Sequence, residues 1–231
     1  MIAAGSVIVV TGGTGALGRA VVRALLMQGH KVAVPYRGSA GWQSLKAELS
    51  ATGRLWGDAA DMSDLAAARR FVDGAASEFG GLDGVAALAG AYAGSGTLEA
   101  TPESEWDDMI RVNLSSAHAT CRAALPHLLR AGGSVVMVGS RAAEAGGAGA
   151  AAYATSKMGV LALTRALAAE NRNRGVRFNA ISPAIIDTEA NRLAMPRADR
   201  AQWTSPDAIA RVVVWLLSPA SAPVTGGIFP V

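Results

Sequence analysis

VVTGGTGALGRAVV, residues 9–22, is the stretch on which the fold turns. β-Branched residues lead into it, four glycines crowd its middle, and an apolar pattern at helical spacing leaves it. A glycine-rich turn between strand and helix lets backbone N–H groups approach a phosphate, and the helix N-terminus adds partial positive charge. Any strand-to-helix turn can use glycine, so the motif alone leaves a plain tight turn open. Ala16 stands where a further glycine is expected and adds a methyl group at a crowded spot.

Working outward, Ser6–Val10 is a continuous apolar run, as expected for a strand buried on both faces. Further strands are expected at Lys31–Val34, Gly84–Ala89, Ser134–Val138, Val176–Ile181 and near Gly227–Val231. Helical patterns occupy Arg19–Met27 and about 63–79, 103–130, 152–172 and 206–217. Ser205-Pro206 opens the last of these with an N-cap residue and a first-turn proline. Alternating strands and helices imply an α/β fold with a mostly parallel sheet covered on both faces. The glycine- and alanine-rich stretch EAGGAGAAA, 144–152, reads as a loop within the domain, and the whole of 1–231 as one domain.

With 51% apolar and 17% charged residues among 231, the chain can bury a large core and is not expected to be disordered. No apolar run reaches membrane-spanning length, and MIAAGSVIVV lacks the basic flank of a signal peptide. Cys121 is alone, so no internal disulfide forms, which favours a reducing compartment; a cytoplasmic location is expected. Net charge is +3, and Arg69-Arg70 and the NRNR run at 171–174 lie apart without interleaved aromatics. Neither a nucleic-acid nor a membrane partner is expected. His30, His118 and His127 lack ligand-like spacing, so no metal site is expected.

The chemistry concentrates in SRAAEAGGAGAAAYATSKMG, residues 140–159. Tyr153 and Lys157 are four apart in a helical pattern and project from one face. A free phenol, with a pKa of about 10, is a poor acid or base at neutral pH. A nearby ammonium stabilises the phenolate and readies Tyr153 to exchange a proton with a carbonyl or alcohol. Ser140 ends the run VVMVG, where open parallel sheets bind ligands, and its hydroxyl can orient the same oxygen.

On these residues the chain resembles the single-domain members of the short-chain dehydrogenase/reductase family over essentially its whole length. TGGTGALG, 11–18, is similar to the family's TGxxxGxG turn except at Ala16. Asn113 in RVNLSS, Ser140, Tyr153 and Lys157 match its catalytic tetrad. The resemblance implies a doubly wound, Rossmann-type fold with seven strands. It also implies hydride transfer between a nicotinamide cofactor and a carbonyl or alcohol carbon. In that scheme Tyr153 moves the proton and Ser140 holds the substrate oxygen. Lys157 lowers the phenol pKa and binds the ribose, while Asn113 keeps a water relay in contact with Lys157. The cofactor residues it implies are Gly12, Thr14, Gly15, Ala16, Leu17 and Gly18 in the turn, with Asp61 and Met62 near the adenine. Ala89 and Gly90 belong to ALAG, a departure from the family's NNAG; Pro183, Ile186 and Thr188 would border the nicotinamide. With the tetrad filled, Ala16 reads as a tolerated variation in a working site.

Cofactor choice turns on Tyr36 and Arg37 in VAVPYRG, where no acid stands to repel a 2′-phosphate. Arginine pairs with phosphate through a planar fork, so NADP(H) is favoured and NAD(H) remains possible. A segment at about 184–205, with Met195 and Trp203, is expected to cover the substrate. It also resembles the corresponding part of quinoid dihydropteridine reductases, although Arg37 and Ser140 depart from them. A small-molecule carbonyl reductase ranks first and a pteridine reductase second. A non-catalytic dinucleotide sensor is the reading from another class, opposed by the Tyr-Lys pair. Alanine-rich helices at 103–130 and 152–172, apolar on more than one side, imply a homodimer or homotetramer.

Overall fold

The computed structural model describes residues 5–49 and 53–231; Met1–Ala4, part of the amino-terminal stretch read for a signal peptide, lie outside the described residues. The strands are β1 (Val7–Thr11), β2 (Lys31–Tyr36), β3 (Leu55–Ala59), β4 (Gly84–Ala87), β5 (Gly133–Val138), β6 (Val176–Ser182) and β7 (Ile228–Pro230). They form one sheet in the order β3-β2-β1-β4-β5-β6-β7, and every neighbouring pair is parallel. The helices are α1 (Ala16–Met27), α2 (Ser39–Leu49), α3 (Leu65–Phe79), α4 (Glu103–Met109), α5 (Ser116–Ala131), α6 (Arg141–Glu144), α7 (Ala151–Asn171), α8 (Glu189–Ala194) and α9 (Pro206–Leu217).

The alternation of β1 decides both cores. Val7 and Val9 pack with residues of α3, α5 and α7 on one face. Ile8 and Val10 pack with residues of α1, α2 and α9 on the other. All four are buried, each contributing on the order of 1.5–3 kcal/mol of transfer free energy. From β1 the chain runs outward to β3, then returns to place β4 on the opposite side of β1. The carboxyl ends of β1 and β4 therefore flank the switch point, where such sheets bind ligands.

Several boundaries differ from expectation for local reasons. β3 and α2 escape the sequence reading because β3 is a half-exposed edge strand with Gly57 in its middle, so no apolar run marks it. β2 continues through Pro35 to Tyr36 because its pairing with β1 ends at Ala33, leaving one side free of ladder bonds. The strand expected over Gly84–Ala89 stops at Ala87, and Leu88–Gly90 turn towards the cleft described below. The single helix expected over 103–130 is two helices joined by a π-helical turn, Ile110–Ser115. One extra residue per turn there re-aims the side chains without stopping the chain's course. Within 144–152 the loop proper is shorter, bounded by α6 and α7.

Candidate active site

The opening turn forms the floor of a cleft of about 410 Å³. Gly12 has φ +67, and a Cβ there would lie 3.0 Å from the Ala89 backbone. Gly18 is tighter still, for a Cβ would run into the Gly12 carbonyl oxygen. Ala16, by contrast, is the exposed first residue of α1, whose N-cap is Gly15. The crowding expected at position 16 falls instead on position 18, which is why an alanine is accommodated in this motif. Thr11 Oγ1 accepts from Ala89 N at 3.1 Å and ties the ends of β1 and β4 together.

Gly12 and residues 14–18 share the cleft wall with Tyr36, Arg37, Asp61, Met62, Ala89 and Gly90, and Ile186 and Thr188 close the opposite side. Fourteen of the sequence-derived cofactor positions thus meet in one place. Pro183 does not line this cleft; it lies buried at the end of β6, where its carbonyl accepts from Arg141 N at 3.0 Å, beside Ser140. The void, the glycine floor and the helix N-terminus fit a dinucleotide. Arg37 is exposed and makes no hydrogen bond or ion pair to any described residue, whereas Arg19 is committed to Thr14 O, Gly41 O and Glu48. Tyr36 stacks on buried Trp42, with centroids 5.4 Å apart.

Four polar lining residues were missed by the sequence reading. Arg111 reaches Asp61 at 3.6 Å from the π-helical turn, and Ser63 gives Asp61 two hydrogen bonds, of 2.9 and 2.7 Å. The Ser63 bonds, followed by Arg111 and Arg37, hold the Asp61 carboxyl below its ordinary range. Asn191 donates to Ile186 O at 2.8 Å, while its own N–H is capped by Thr188 Oγ1 at 3.1 Å, so α8 braces the cleft's far wall. Ser116 lines the cleft from the start of α5. Their side-chain types are ordinary on helices, and only tertiary placement distinguishes them.

Asn113, Ser140, Tyr153 and Lys157 converge next to this cleft. Asn113 lies on the π-helical turn and grips Ala91 twice, accepting from its N–H at 2.9 Å and donating to its carbonyl at 3.0 Å. It also donates to Ser156 Oγ at 3.0 Å, and Ser156 donates to Tyr153 O at 2.7 Å. Ser156, absent from the sequence reading, therefore couples Asn113 to the Tyr153 backbone. A Cβ on Gly90 would stand 2.6 Å from Asn113 Oδ1 and 3.0 Å from Lys157 Nζ, so that glycine opens the cleft to both.

The electrostatics depart from the simple expectation for the pair. Burial pushes the Tyr153 phenol up; its hydrogen bond with Ser140 pulls it back, and the Tyr92 phenol pushes it up again. Lys157, buried and donating to Val138 O at 3.2 Å, falls to about 8 because burial disfavours its charge. The lowering of the phenol by Lys157 anticipated from spacing is not found: desolvation dominates, and the opposing pull comes from Ser140. At neutral pH the proton rests on Tyr153, the form needed to donate to a carbonyl oxygen.

The segment 184–205 folds into a flap closed at its base by a bridge between Ile186 and Thr204. Arg192 grips Asp187 through two bonds of 2.6 and 2.7 Å at the start of α8. Among the described residues no group of three His, Cys, Asp or Glu side chains is placed to hold a metal, and no helix is long and apolar enough to cross a membrane.

Comparison with known proteins agrees with this fold. The family model described as short chain dehydrogenase matches residues 6–198. D-threitol dehydrogenase of Mycolicibacterium smegmatis is 34% identical over 239 residues, covering 96% of this chain and 89% of its own. 4-Formylbenzenesulfonate dehydrogenase of Comamonas testosteroni is 36% identical over 235 residues, covering 95% and 93%. The crystal structure of levodione reductase superimposes with a TM-score of 0.91 at 28% identity, covering 98% of this chain and 95% of the other.

Proposed function

The chain belongs to the short-chain dehydrogenase family, and on that premise we propose that it is an NADPH-preferring oxidoreductase interconverting a small carbonyl compound and its alcohol. The observation that carries the reading is Ser140 set against Tyr153 beside a cleft whose wall carries Arg37, exposed and without a hydrogen bond or ion pair to any described residue. The bound nicotinamide cofactor supplies the hydride.

The protein's own part is orientation and proton transfer. Ser140 holds the substrate oxygen against Tyr153, and Tyr153 donates the proton as that oxygen gains charge. Lys157, buried behind the phenol, replenishes positive charge at the site and binds the ribose. Asn113 fixes the Ala91 backbone and, through Ser156, the first turn of α7. Gly12 to Gly18 and the α1 N-terminus hold the pyrophosphate. Arg37 would meet the 2′-phosphate, and Tyr36, stacked on Trp42, would border the ribose. The pteridine reading is weaker, because it accounts for neither Arg37 nor Ser140.

The test is NADPH and NADH oxidation with a panel of ketones, aldehydes, diketones and quinonoid pterins. NADPH is expected to be favoured in kcat/KM, and Arg37→Ala to remove about 10- to 150-fold of that preference, mainly by weakening NADPH. Equal use of both cofactors by the parent protein would overturn the NADP assignment.

A further inference from the structure

Tyr92 is the residue at this site that the family motifs leave without a role. It directly follows Ala91, whose N–H and carbonyl are both held by Asn113. Two residues on, Gly94 packs so closely beneath it that a Cβ would lie 2.7 Å from the Tyr92 hydroxyl and 3.0 Å from Ala150 Cβ. Ser95 is bonded to the buried Glu105, and Gly96 N donates to Gly149 O at 3.2 Å, closing this loop against the one before α7. The backbone bearing Tyr92 is thus hydrogen-bonded on either side of it, at Ala91 and Gly96, with the Ser95 side chain bonded between them. Its ring meets Tyr153 edge-on at 4.9 Å, yet it is 69% exposed. An aromatic side chain pinned against the reacting phenol while facing solvent is preorganised for contact with something that arrives there.

The polar inventory of the two loops beside Tyr153 narrows what that is. Residues 91–96 and 145–152 read AYAGSG and AGGAGAAA, so within these two loops Tyr92 and Ser95 alone carry hydrogen-bonding side chains. The Ser95 hydroxyl is engaged by Glu105. The Tyr92 phenol, above Gly94, makes no hydrogen bond to any described residue, so both its donor and its acceptor capacity are free for a ligand beside Tyr153.

We propose that Tyr92 is a specificity-determining residue whose phenol hydrogen-bonds a second substrate oxygen beside the reacting carbon, making vicinal diols and α-hydroxycarbonyls the preferred substrate class. This rests on the oxidoreductase reading above and deepens it. Tyr92 transfers no proton; hydride and proton follow the same course with or without it. Ser140 and Tyr153 hold the reacting oxygen, and Tyr92 holds its neighbour.

The experiment compares 2,3-butanediol with 2-butanol, and trans-cyclohexane-1,2-diol with cyclohexanol, in the parent, Tyr92→Phe and Tyr92→Leu proteins. The readout is the diol-to-monoalcohol ratio of kcat/KM, with thermal midpoint and NADPH fluorescence titration as checks on folding and cofactor binding. The parent is expected to favour the diols, and Tyr92→Phe to lower the ratio about tenfold through KM, the worth of one hydrogen bond. Tyr92→Leu is expected to lower it at least as far. A parent without diol preference, or an unchanged ratio in Tyr92→Phe, overturns the role of Tyr92 while sparing the oxidoreductase reading. Bound NADPH with no turnover of any alcohol or ketone overturns both.

Discussion

Replacing Lys157 by methionine separates what this site does for catalysis from what it does to stability. Lys157 is 6% exposed, and burial brings its pKa from 10.5 to about 8. At about 1.4 kcal/mol per unit, the depression corresponds to a folding cost of roughly 3 kcal/mol when the group is charged. Below pH 8 both folded and unfolded chains hold the proton, so this cost is fully present. Between pH 8 and 10.5 the unfolded chain keeps a proton that the folded chain has shed, so stability rises with pH and the cost is recovered. Methionine keeps the length and drops the charge, though it leaves the Val138 carbonyl without its 3.2 Å donor, a loss of about 1 kcal/mol. The variant is expected to be more stable than the parent by about 2 kcal/mol at pH 7, with the gap vanishing between about pH 9 and 10 and reversing above that, to about 1 kcal/mol in the parent's favour by pH 10.5. The Cys121 thiol, pushed from 9.0 up to about 12 by burial, destabilises the fold from about pH 9 upwards, and Tyr153, also raised, does so from about pH 10. Both occur in parent and variant, so they cancel to first order in the difference. Urea unfolding of both proteins at intervals from pH 7 to 10 measures the gap. A gap that stays constant across that range would refute the reasoning, whatever the activity.

Tyr153→Phe keeps the ring and loses the proton donor, so kcat on an established substrate is expected to fall about 10² to 10⁴-fold while NADPH affinity, measured by fluorescence, changes little. Retention of most of the parent kcat would remove Tyr153 from the mechanism. Gly18→Ala drives a methyl group into the Gly12 carbonyl and is expected to abolish cofactor binding or lower the thermal midpoint sharply, whereas Ala16→Gly should do neither; equal behaviour of the two in a thermal shift assay would count against the geometry of the turn. Trp106 on α4 and Met158 on α7 remain 45% and 42% exposed on helices that pack together. A dimer or tetramer is expected in light scattering at micromolar concentration, with Trp106→Glu shifting it towards monomer, and a monomeric parent would refute this.

The sequence by itself determined the features that repeat along the chain or depend on near neighbours. The buried strand before TGGTGALG, the helical spacing of Tyr153 and Lys157, and Ser205-Pro206 before α9 are all local patterns. The structure bears out the parallel sheet they imply and the Ser205 cap of α9. Local patterning failed where an element has little apolar surface of its own, as in β3, or where a helix changes its winding, as between α4 and α5. It also misjudged Ala16, because crowding depends on which backbone passes nearby, and Gly12 approaches Gly18 instead. The protonation of the Tyr-Lys pair depends on desolvation, a property of everything packed around it, so spacing suggested a lowered phenol where burial raises it. The clasp that sets Tyr92 against Tyr153 joins residues 91–96 to 113, 105 and 149–150, positions far apart along the chain. Only the folded arrangement decides such a contact, because chain closure brings its members together and no spacing within one element encodes it.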